Sequence, residues 1–206
     1  MPTTIELSHH HRFVPATSAG QPPILLLHGT GGDENDLLPL GRTIAPDAAL
    51  LSPRGKVLEG GLPRFFRRLA ESIFDEEDVR RRANELAEFV LAAREAYGLD
   101  APIAVGFSNG ANIAAAVLQL RPEVLSGAVL LRAMVPLKDF PAPDLDGKPV
   151  LILSGAADPI VPAENAARLA SILKGAGAIV DHRILPAGHG LSQADVTITK
   201  TWLDQR

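Results

Sequence analysis

The pentapeptide from Gly106 to Gly110 holds a serine in a setting that suits nucleophilic chemistry. It reads Gly-Phe-Ser-Asn-Gly, which fits the G-x-S-x-G pattern of a sharp turn between a strand and a helix. The glycines on either side of Ser108 lack a Cβ and so relieve crowding in such a turn. An apolar run at 103–105 precedes it and a small-residue stretch at 111–120 follows. We expect Ser108 to be a nucleophile beside a helix N-terminus, the alternative being an ordinary closely packed turn.

A serine hydroxyl becomes nucleophilic when a base takes its proton, and histidine is the usual base. The histidines that follow Ser108 in the chain are His182 and His189. His182 falls inside a predicted strand at 181–185, where the ladder holds its backbone. His189 follows that strand in Pro-Ala-Gly-His-Gly-Leu, between glycines that let the chain bend. We expect His189 to be the base, the alternatives being His182 and an exposed loop position for His189.

The base needs an acid to orient it, and in the chain order Ser, Asp, His that acid lies between the serine and the histidine. Asp158 follows the predicted strand 149–154 in a loop that Pro159 and Pro162 stiffen. We expect Asp158 to fix the tautomer of His189 and to stabilise its charged form, the alternative being a simple turn residue. The other candidates precede that strand or lie in a predicted helix beyond the base: Asp139, Asp144, Asp146 and Asp195.

The oxyanion of a tetrahedral intermediate needs N–H donors. The stretch His28-Gly-Thr-Gly-Gly ends an early predicted strand, and its glycines let a main-chain amide face the site. We expect the backbone amides of Thr30 and Asn109 to be the two donors. His28 is a rival base, but it precedes Ser108, and we expect it to brace this loop through hydrogen bonds.

Short apolar runs alternate with helical patterns along the chain, which predicts an α/β fold with a mostly parallel, doubly wound sheet flanked by helices. The predicted strands are 22–27, 48–52, 102–106, 124–131, 149–154 and 181–185. The predicted helices are one that ends near Ile44 after a cap at Asp33 or Asp36, and four at 76–97, 109–120, 162–174 and 192–203. In such sheets ligands bind beyond the carboxyl ends of the strands, where the candidate catalytic residues fall.

The segment 54–75 is less regular, with Gly60-Gly61 and then Pro-Arg-Phe-Phe-Arg-Arg at 63–68. We interpret it as a loop with a short helix that could cover the site. The helix predicted at 76–97 has apolar residues at three- and four-residue spacing and stops at Gly98.

Composition limits the other functions. The 206 residues suit one domain, 1–206. The net charge is −4 and no basic block is present, so the sequence offers no positively charged surface for binding nucleic acid or an anionic membrane. The absence of cysteine excludes disulfides, thiolate catalysis and zinc sites built on sulfur. No apolar run reaches the length of a membrane span, and the N-terminus lacks a signal-peptide pattern, so we expect a cytoplasmic location.

Three consecutive histidines stand near the N-terminus, at His9, His10 and His11. Such a tract can bind metal. No carboxylate cluster accompanies it, so we expect a solvated strand or hairpin there and no metal site.

With these residues assembled, the chain resembles the phospholipase/carboxylesterase family of α/β-hydrolases over nearly its whole length. The resemblance rests on Leu27-His-Gly-Thr-Gly-Gly-Asp-Glu-Asn-Asp-Leu, Gly106-Phe-Ser-Asn-Gly-Ala-Asn, Ser154-Gly-Ala-Ala-Asp-Pro-Ile-Val-Pro and Ala187-Gly-His-Gly-Leu. The segment 63–78 resembles the bacterial branch that includes hydroquinone-resistance hydrolases. The resemblance implies an α/β-hydrolase fold with a minimal lid, esterase activity on a small-molecule ester through Ser108, Asp158 and His189, and no cofactor.

Two departures separate the chain from neighbouring branches. The acyl-protein thioesterase branch typically has Gln after the nucleophile, where Asn109 stands here, and dienelactone hydrolases are expected to use a Cys that this chain lacks. A carboxylesterase for small to medium esters is the leading hypothesis. The alternatives are a thioesterase or lysophospholipase with the same triad, a peptidase, and a non-catalytic ligand-binding module. A homodimer is compatible with the family.

Segments beside the triad are expected to line a substrate pocket that suits acyl chains or aryl esters. We place in that pocket Phe65, Phe66, Met134, Val135, Ile160, Val161 and Leu191. The alternative is that several of them belong to the core. Arg64, or Arg54 as second choice, is a hypothesis for attracting an acidic substrate, against the more common case of a solvated surface arginine.

Overall fold

The computed structural model describes residues 7–140 and 143–206. Its strands are β1 (His11–Val14), β2 (Ile24–Leu27), β3 (Leu50–Pro53), β4 (Val57–Glu59), β5 (Leu62–Arg64), β6 (Arg68–Ala70), β7 (Ile73–Phe74), β8 (Ile103–Phe107), β9 (Gly127–Leu131), β10 (Pro149–Gly155) and β11 (Ile179–Leu185). Its helices are α1 (Leu38–Ile44), α2 (Glu76–Tyr97), α3 (Asn109–Leu120), α4 (Ala163–Gly175) and α5 (Gln193–Leu203).

The main sheet has seven strands in the order β1-β3-β2-β8-β9-β10-β11. Every pair in it is parallel except β1 with β3, which is antiparallel. From β2 the chain adds β3 on one side and then β8 to β11 in succession on the other, so the crossovers place helices on both faces, while β1 covers the outer edge of β3. The predicted α/β fold with a mostly parallel, doubly wound sheet is confirmed.

The side chains of β2 show that the sheet separates two hydrophobic cores, one on each face. All four of its residues are buried, as its unbroken apolar run Ile-Leu-Leu-Leu predicts for a strand covered on both faces. Because successive side chains point to opposite faces, Leu25 and Leu27 join the core under α2, α3 and α4. Ile24 and Leu26 join the core under α1 and α5. The carboxyl ends of the central strands are therefore anchored from both sides.

The helices largely follow the predicted bounds. Asp75 caps α2 by accepting a hydrogen bond from the Asp78 amide, and Gly98 ends it in the left-handed conformation at φ 66°. The predicted helix at 109–120 is α3. The helix predicted at 162–174 is shifted by one residue from α4 at both ends, and the one predicted at 192–203 begins one residue before α5. Within the described ranges no helix is both long enough and apolar enough to cross a bilayer.

The start of α1 differs from the prediction. The helix begins at Leu38 and has no side-chain cap. Asp33 instead accepts a hydrogen bond from the Asn35 amide at 2.7 Å, which forms a turn before the helix. Similarly, the strand predicted from Val124 begins only at Gly127, because residues Pro122–Val124 form a 3₁₀ turn.

The segment 54–75 contains no helix, and that part of the prediction was wrong. It forms two hairpins, β4 with β5 and β6 with β7, both antiparallel. Gly60 and Gly61 join the first pair with φ values of 58° and 83°, the positive values that a two-residue type I′ turn needs at both positions. Ser72 turns the second pair at φ 60°. The Gly-Gly pair was the sequence signal for a hairpin.

The histidines at 9–11 also differ from the expectation of a solvated strand. His11 does begin β1, but its Nε2 lies 2.7 Å from the Tyr97 hydroxyl. His9 is buried, with its ring centroid 4.8 Å from that of Phe89. The tract is therefore partly packed against α2, because the apolar ring of His9 covers an aromatic side chain of that helix.

Candidate active site

Ser108 lies in the turn between β8 and α3 with φ 52° and ψ −112°, a conformation that side chains rarely adopt. The flanking glycines are required by packing. A Cβ on Gly106 would lie 2.5 Å from the Gly110 carbonyl oxygen, and one on Gly110 would lie 2.0 Å from the Leu27 carbonyl oxygen. The Ser108 amide donates to the Leu131 carbonyl at 2.8 Å, which fastens the turn to β9. The strained serine is thus held by its neighbours, as functional strain requires.

The structure brings the three candidate catalytic side chains together in one chain of hydrogen bonds. His189 Nε2 lies 2.9 Å from the Ser108 hydroxyl, and His189 Nδ1 lies 2.9 Å from Asp158 Oδ2. The serine follows β8, the aspartate follows β10 and the histidine follows β11. Three segments far apart in sequence therefore meet at the carboxyl edge of the sheet, within proton-transfer distance.

The Asp158 side chain is fully buried. Its Oδ1 accepts hydrogen bonds from the amides of Ile160 at 2.8 Å and Val161 at 3.0 Å. Burial raises the pKa of Asp158, but these two amides and the His189 ring more than offset it, so the pKa lies below its ordinary value. The group is a carboxylate at neutral pH and can orient an N–H on His189 Nδ1.

Arg132 holds the loop that carries His189, and sequence reasoning missed it. Its side chain is fully buried, with Nε 2.9 Å from the Gly188 carbonyl and Nη2 3.2 Å from the Gly190 carbonyl. A bidentate pair with Asp195, at 2.8 and 2.9 Å, compensates its charge. One guanidinium thus fixes the carbonyls on both sides of His189. The signal was an arginine placed directly after the apolar strand β9.

The two expected oxyanion donors both lie beside Ser108 on the wall of one cleft. Asn109 is the first residue of α3, so its amide points out of the helix N-terminus. Within residues 7–140 and 143–206, no hydrogen bond uses the amide of Thr30 or of Asn109 as donor. Both amides therefore lack an acceptor within the described residues, and their role as oxyanion donors stays a prediction.

The rival histidines are engaged elsewhere. His28 is buried, its Nδ1 donates to the Gly29 carbonyl at 2.6 Å, and its Nε2 accepts from the Gly55 amide at 3.0 Å. Burial lowers the pKa of His28, which favours this neutral ring. It braces the loop, as expected. His182 bonds to the hydroxyl of Ser154 at 2.9 Å, within the sheet.

The cleft above Ser108 has a volume of about 240 Å³. Of the residues predicted for the pocket, Met134, Ile160 and Val161 line it. The placements of Phe65 and Phe66 were wrong, because both are buried in the core and neither lines the cleft. Val135 and Leu191 also lie off the cleft wall. The wall includes further side chains that sequence reasoning missed: Arg68, Ser72, Phe74, Phe107, Asn112 and Arg132.

The two candidate arginines differ in position. Arg64 is buried and lines the cleft, whereas Arg54 does not and pairs with Glu34 at 2.9 Å. The alternative of a solvated surface arginine therefore does not apply to Arg64.

A doubly wound sheet with a strained serine turn and a serine–histidine–aspartate chain at its carboxyl edge defines an α/β hydrolase. Consistent with this, residues 74–147 match the family model described as the alpha/beta hydrolase fold.

Relatives place the chain more narrowly. It is 46% identical over 181 residues to MhqD of Bacillus subtilis (strain 168), a protein assigned to the hydrolases, covering 87% of this chain and 90% of that one. The carboxylesterase of Bacillus cereus superposes with a TM-score of 0.93 at 44% identity, over 96% of this chain and 94% of that chain. The carboxylesterase of Mesorhizobium loti superposes with a TM-score of 0.92 at 34% identity, over 100% and 99%. The chain belongs to the α/β-hydrolase family and groups with its bacterial carboxylesterases.

Proposed function

We propose that this hydrolase is a serine carboxylesterase that cleaves small to medium carboxylic esters through an acyl-enzyme on Ser108. The observation that carries the proposal is the unbroken hydrogen-bond chain from the Ser108 hydroxyl through His189 to Asp158, at 2.9 Å for each link. The geometry matches that of an activated nucleophile with its base and orienting acid.

The acylation half follows from this arrangement. His189 Nε2 takes the Ser108 proton as Oγ attacks the ester carbonyl carbon, and Asp158 stabilises the imidazolium. The carbonyl oxygen becomes an oxyanion that accepts hydrogen bonds from the amides of Thr30 and Asn109. The C–O bond to the alcohol then breaks, and the leaving oxygen takes the proton from Nε2.

Deacylation repeats the same steps with water. A water molecule gives a proton to His189 Nε2 and attacks the acyl carbon. The bond to Ser108 Oγ then breaks, Oγ regains the proton from Nε2, and the carboxylic acid leaves. Each turnover therefore converts one ester and one water into one acid and one alcohol.

The cleft supports short substrates over long ones. Its volume of about 240 Å³ lies below the roughly 300–1,000 Å³ of pockets that enclose drug-sized ligands. Met134 and Val161 give it an apolar wall for an acyl chain. A lysophospholipid chain exceeds this space, so we rank a lysophospholipase below an esterase for short acyl groups.

The test combines active-site labelling with a substrate panel. A fluorophosphonate probe is expected to modify Ser108 in the folded protein, and p-nitrophenyl esters are expected to be hydrolysed faster than acyl-CoAs and lysolipids. Labelling without ester hydrolysis but with acyl-CoA cleavage would replace the esterase with a thioesterase. Failure of the folded protein to react with the probe would favour the non-catalytic module.

Two further expectations stay predictions alongside this function. Size-exclusion chromatography with light scattering tests the homodimer. Fractionation of the producing cell tests the cytoplasmic location.

A further inference from the structure

We propose that the esters cleaved at this site carry a free carboxylate, which Arg64 binds. The inference rests on the proposed esterase function and narrows its substrate class. It begins from an anomaly in burial: Arg64 is only 3% exposed, yet it lines the same cleft as Ser108. A buried guanidinium is costly unless its donors and its charge find partners.

The partners of Arg64 inside the protein account for only part of its donors. Its Nε donates to the Phe66 carbonyl at 3.2 Å and lies 3.4 Å from Glu59 Oε2. Neither terminal nitrogen makes a hydrogen bond to any residue in the described ranges. A guanidinium has four N–H groups on those two nitrogens, arranged as a fork that matches a carboxylate. That fork stands unpaired on the cleft wall.

The charged side chains around the cleft also leave positive charge without a matching carboxylate, which favours binding of an anion there. Glu59 is shared, because its Oε1 accepts from Arg68 Nε at 2.7 Å while its Oε2 faces Arg64. One carboxylate therefore serves two guanidinium groups. Glu71 is a further carboxylate on the cleft, but it is exposed to solvent, where screening weakens its field. Arg132 adds no free charge, because Asp195 pairs with it on two oxygens.

Arg64 is fixed relative to the reacting centre by the residues on either side of it. The Pro63 carbonyl accepts from the Gly31 amide at 2.9 Å, next to the expected oxyanion donor Thr30. The Phe65 amide donates to Asn109 Oδ1 at 2.7 Å, on the residue that supplies the other donor. The loop that carries Thr30 and the first residue of α3 therefore both hydrogen-bond to the end of β5. These bonds fix the distance between the Arg64 guanidinium and Ser108.

The pKa of Arg64 lies below its ordinary value, mainly because burial disfavours the charged guanidinium. The negative charge of Glu59 raises this pKa, and the positive charge of Arg68 lowers it. A bound carboxylate would oppose the two unfavourable effects. Because the cleft is small, the carboxylate and the ester must lie a few bonds apart, as in a monoester of a short dicarboxylic acid.

Ethanol release from monoethyl succinate and from ethyl succinamate tests the proposal, because the two esters differ only in carboxylate against amide. At about pH 7 the first is a monoanion and the second is neutral. The wild type is expected to favour the anion in kcat/KM by at least about tenfold, the size of one charge-assisted hydrogen bond. Arg64→Met is expected to lose at least about tenfold more on the anion than on the amide, and Arg64→Lys to fall between the two.

Arg54→Met is the matched control, since it also removes an arginine paired with a glutamate but lies off the cleft. It is expected to keep the wild-type preference. A wild-type ratio near one, or equal losses on both esters in Arg64→Met, would overturn the proposal. If Arg64→Met does not fold, succinate must inhibit wild-type hydrolysis of ethyl succinamate competitively and at least about tenfold more strongly than succinamide does, and equal inhibition by the two compounds contradicts the proposal.

The failure of this inference is distinguishable from failure of the esterase function. If both esters are hydrolysed at equal rates, the proposed carboxylate preference is wrong and the proposed esterase activity still holds. If neither ester is cleaved, succinate must raise the melting temperature of the wild type more than that of Arg64→Met, with succinamide inactive on both. Equal shifts in the two proteins would reject the carboxylate site.

Discussion

Two regions of this molecule face the same cleft but are built differently. The first, the catalytic edge, comprises residues 106–110, 155–161 and 186–191 at the ends of β8, β10 and β11. The second, the hairpin wall, comprises 57–74. Two of the strands leading to the catalytic edge, β8 and β10, are almost wholly buried, whereas in the edge strand β11 only Leu185 is buried. The hairpin wall exposes four large apolar side chains: Leu58, Leu62, Leu69 and Ile73.

The attachments of the two regions differ as well. The hairpin wall is joined to the rest of the site by three hydrogen bonds, Gly31 to Pro63, Phe65 to Asn109 and Ser72 to Ile160. The catalytic edge is fixed by the sheet itself and by Arg132. We infer that the core secures the chemistry, while a separate hairpin segment sets which ester is accepted. Substrate preference can then change without rebuilding the triad.

The largest effect is expected at the nucleophile of the catalytic edge. Ser108→Ala removes the only atom that can form the proposed acyl-enzyme, so kcat/KM should fall by at least about 10⁴-fold on any ester. Steady-state ester hydrolysis and fluorophosphonate labelling measure it. Ser154→Ala is the control, because that hydroxyl bonds to His182 in the sheet and should leave labelling intact. Residual turnover at a tenth of wild type would mean that another group carries the reaction.

The next effect separates positioning from binding within the catalytic edge. Arg132→Met paired with Asp195→Asn removes the guanidinium that holds Gly188 and Gly190 without leaving a buried carboxylate unpaired. Because the His189 loop loses its anchors, kcat should fall by about 10- to 100-fold with little change in KM. Stopped assays across substrate concentration measure the split. A rise in KM at constant kcat would show that Arg132 binds substrate instead.

The same contrast explains how far the sequence could predict the site. Ser108, Asp158 and His189 each lie within a few residues of an apolar strand end, so strand periodicity and glycine spacing were enough to locate them. Phe65 and Phe66 were misplaced because their orientation depends on the hairpin turn at Gly60-Gly61, which was interpreted as part of a loop and helix. Arg132 escaped notice because its partners lie some sixty residues away along the chain. Local pattern predicts elements, but tertiary pairing decides which faces of them reach the cleft.

The hairpin wall can be disturbed without touching the catalytic edge. A Cβ on Gly55 would lie 2.3 Å from both the carbonyl carbon and oxygen of Arg64, so Gly55→Ala must displace that backbone. We expect about 1–3 kcal/mol lower stability from this overpacking and a several-fold weaker preference for monoethyl succinate over its amide. Denaturant unfolding and the two-ester assay measure these.

A matched control exists for that substitution. Gly175→Ala, at the end of α4, places its Cβ in open space and should leave both stability and preference near wild type. If Gly55→Ala abolished labelling of Ser108 as well as the preference, the two regions would not be separable as we infer.

The smallest effect concerns acid, which should lower stability first through a histidine packed against α2 and only at lower pH through the catalytic edge. Burial, aided by Lys56, Arg82 and His11, lowers the pKa of His9 to about 3. Because the unfolded chain protonates this ring near its ordinary value of 6.5 and the folded chain does not, stability falls as the pH drops from that value towards 3. The lowered pKa of Asp158 acts only below its ordinary value of 3.8, where stability falls further as the carboxylate is protonated.

Between neutral pH and pH 5 the loss therefore involves His9, which packs against Phe89 of α2, and not the triad carboxylate. His9→Phe cannot titrate and keeps a ring against Phe89. We expect wild type to lose about 1–2 kcal/mol more than His9→Phe between pH 7 and pH 5, at 1.36 kcal/mol for each pH unit of differential protonation. The buried His28 and the half-buried His182 titrate alike in both proteins, so the difference isolates His9. Urea unfolding at each pH measures it, and parallel losses in the two proteins would show that His9 is protonated in the folded state.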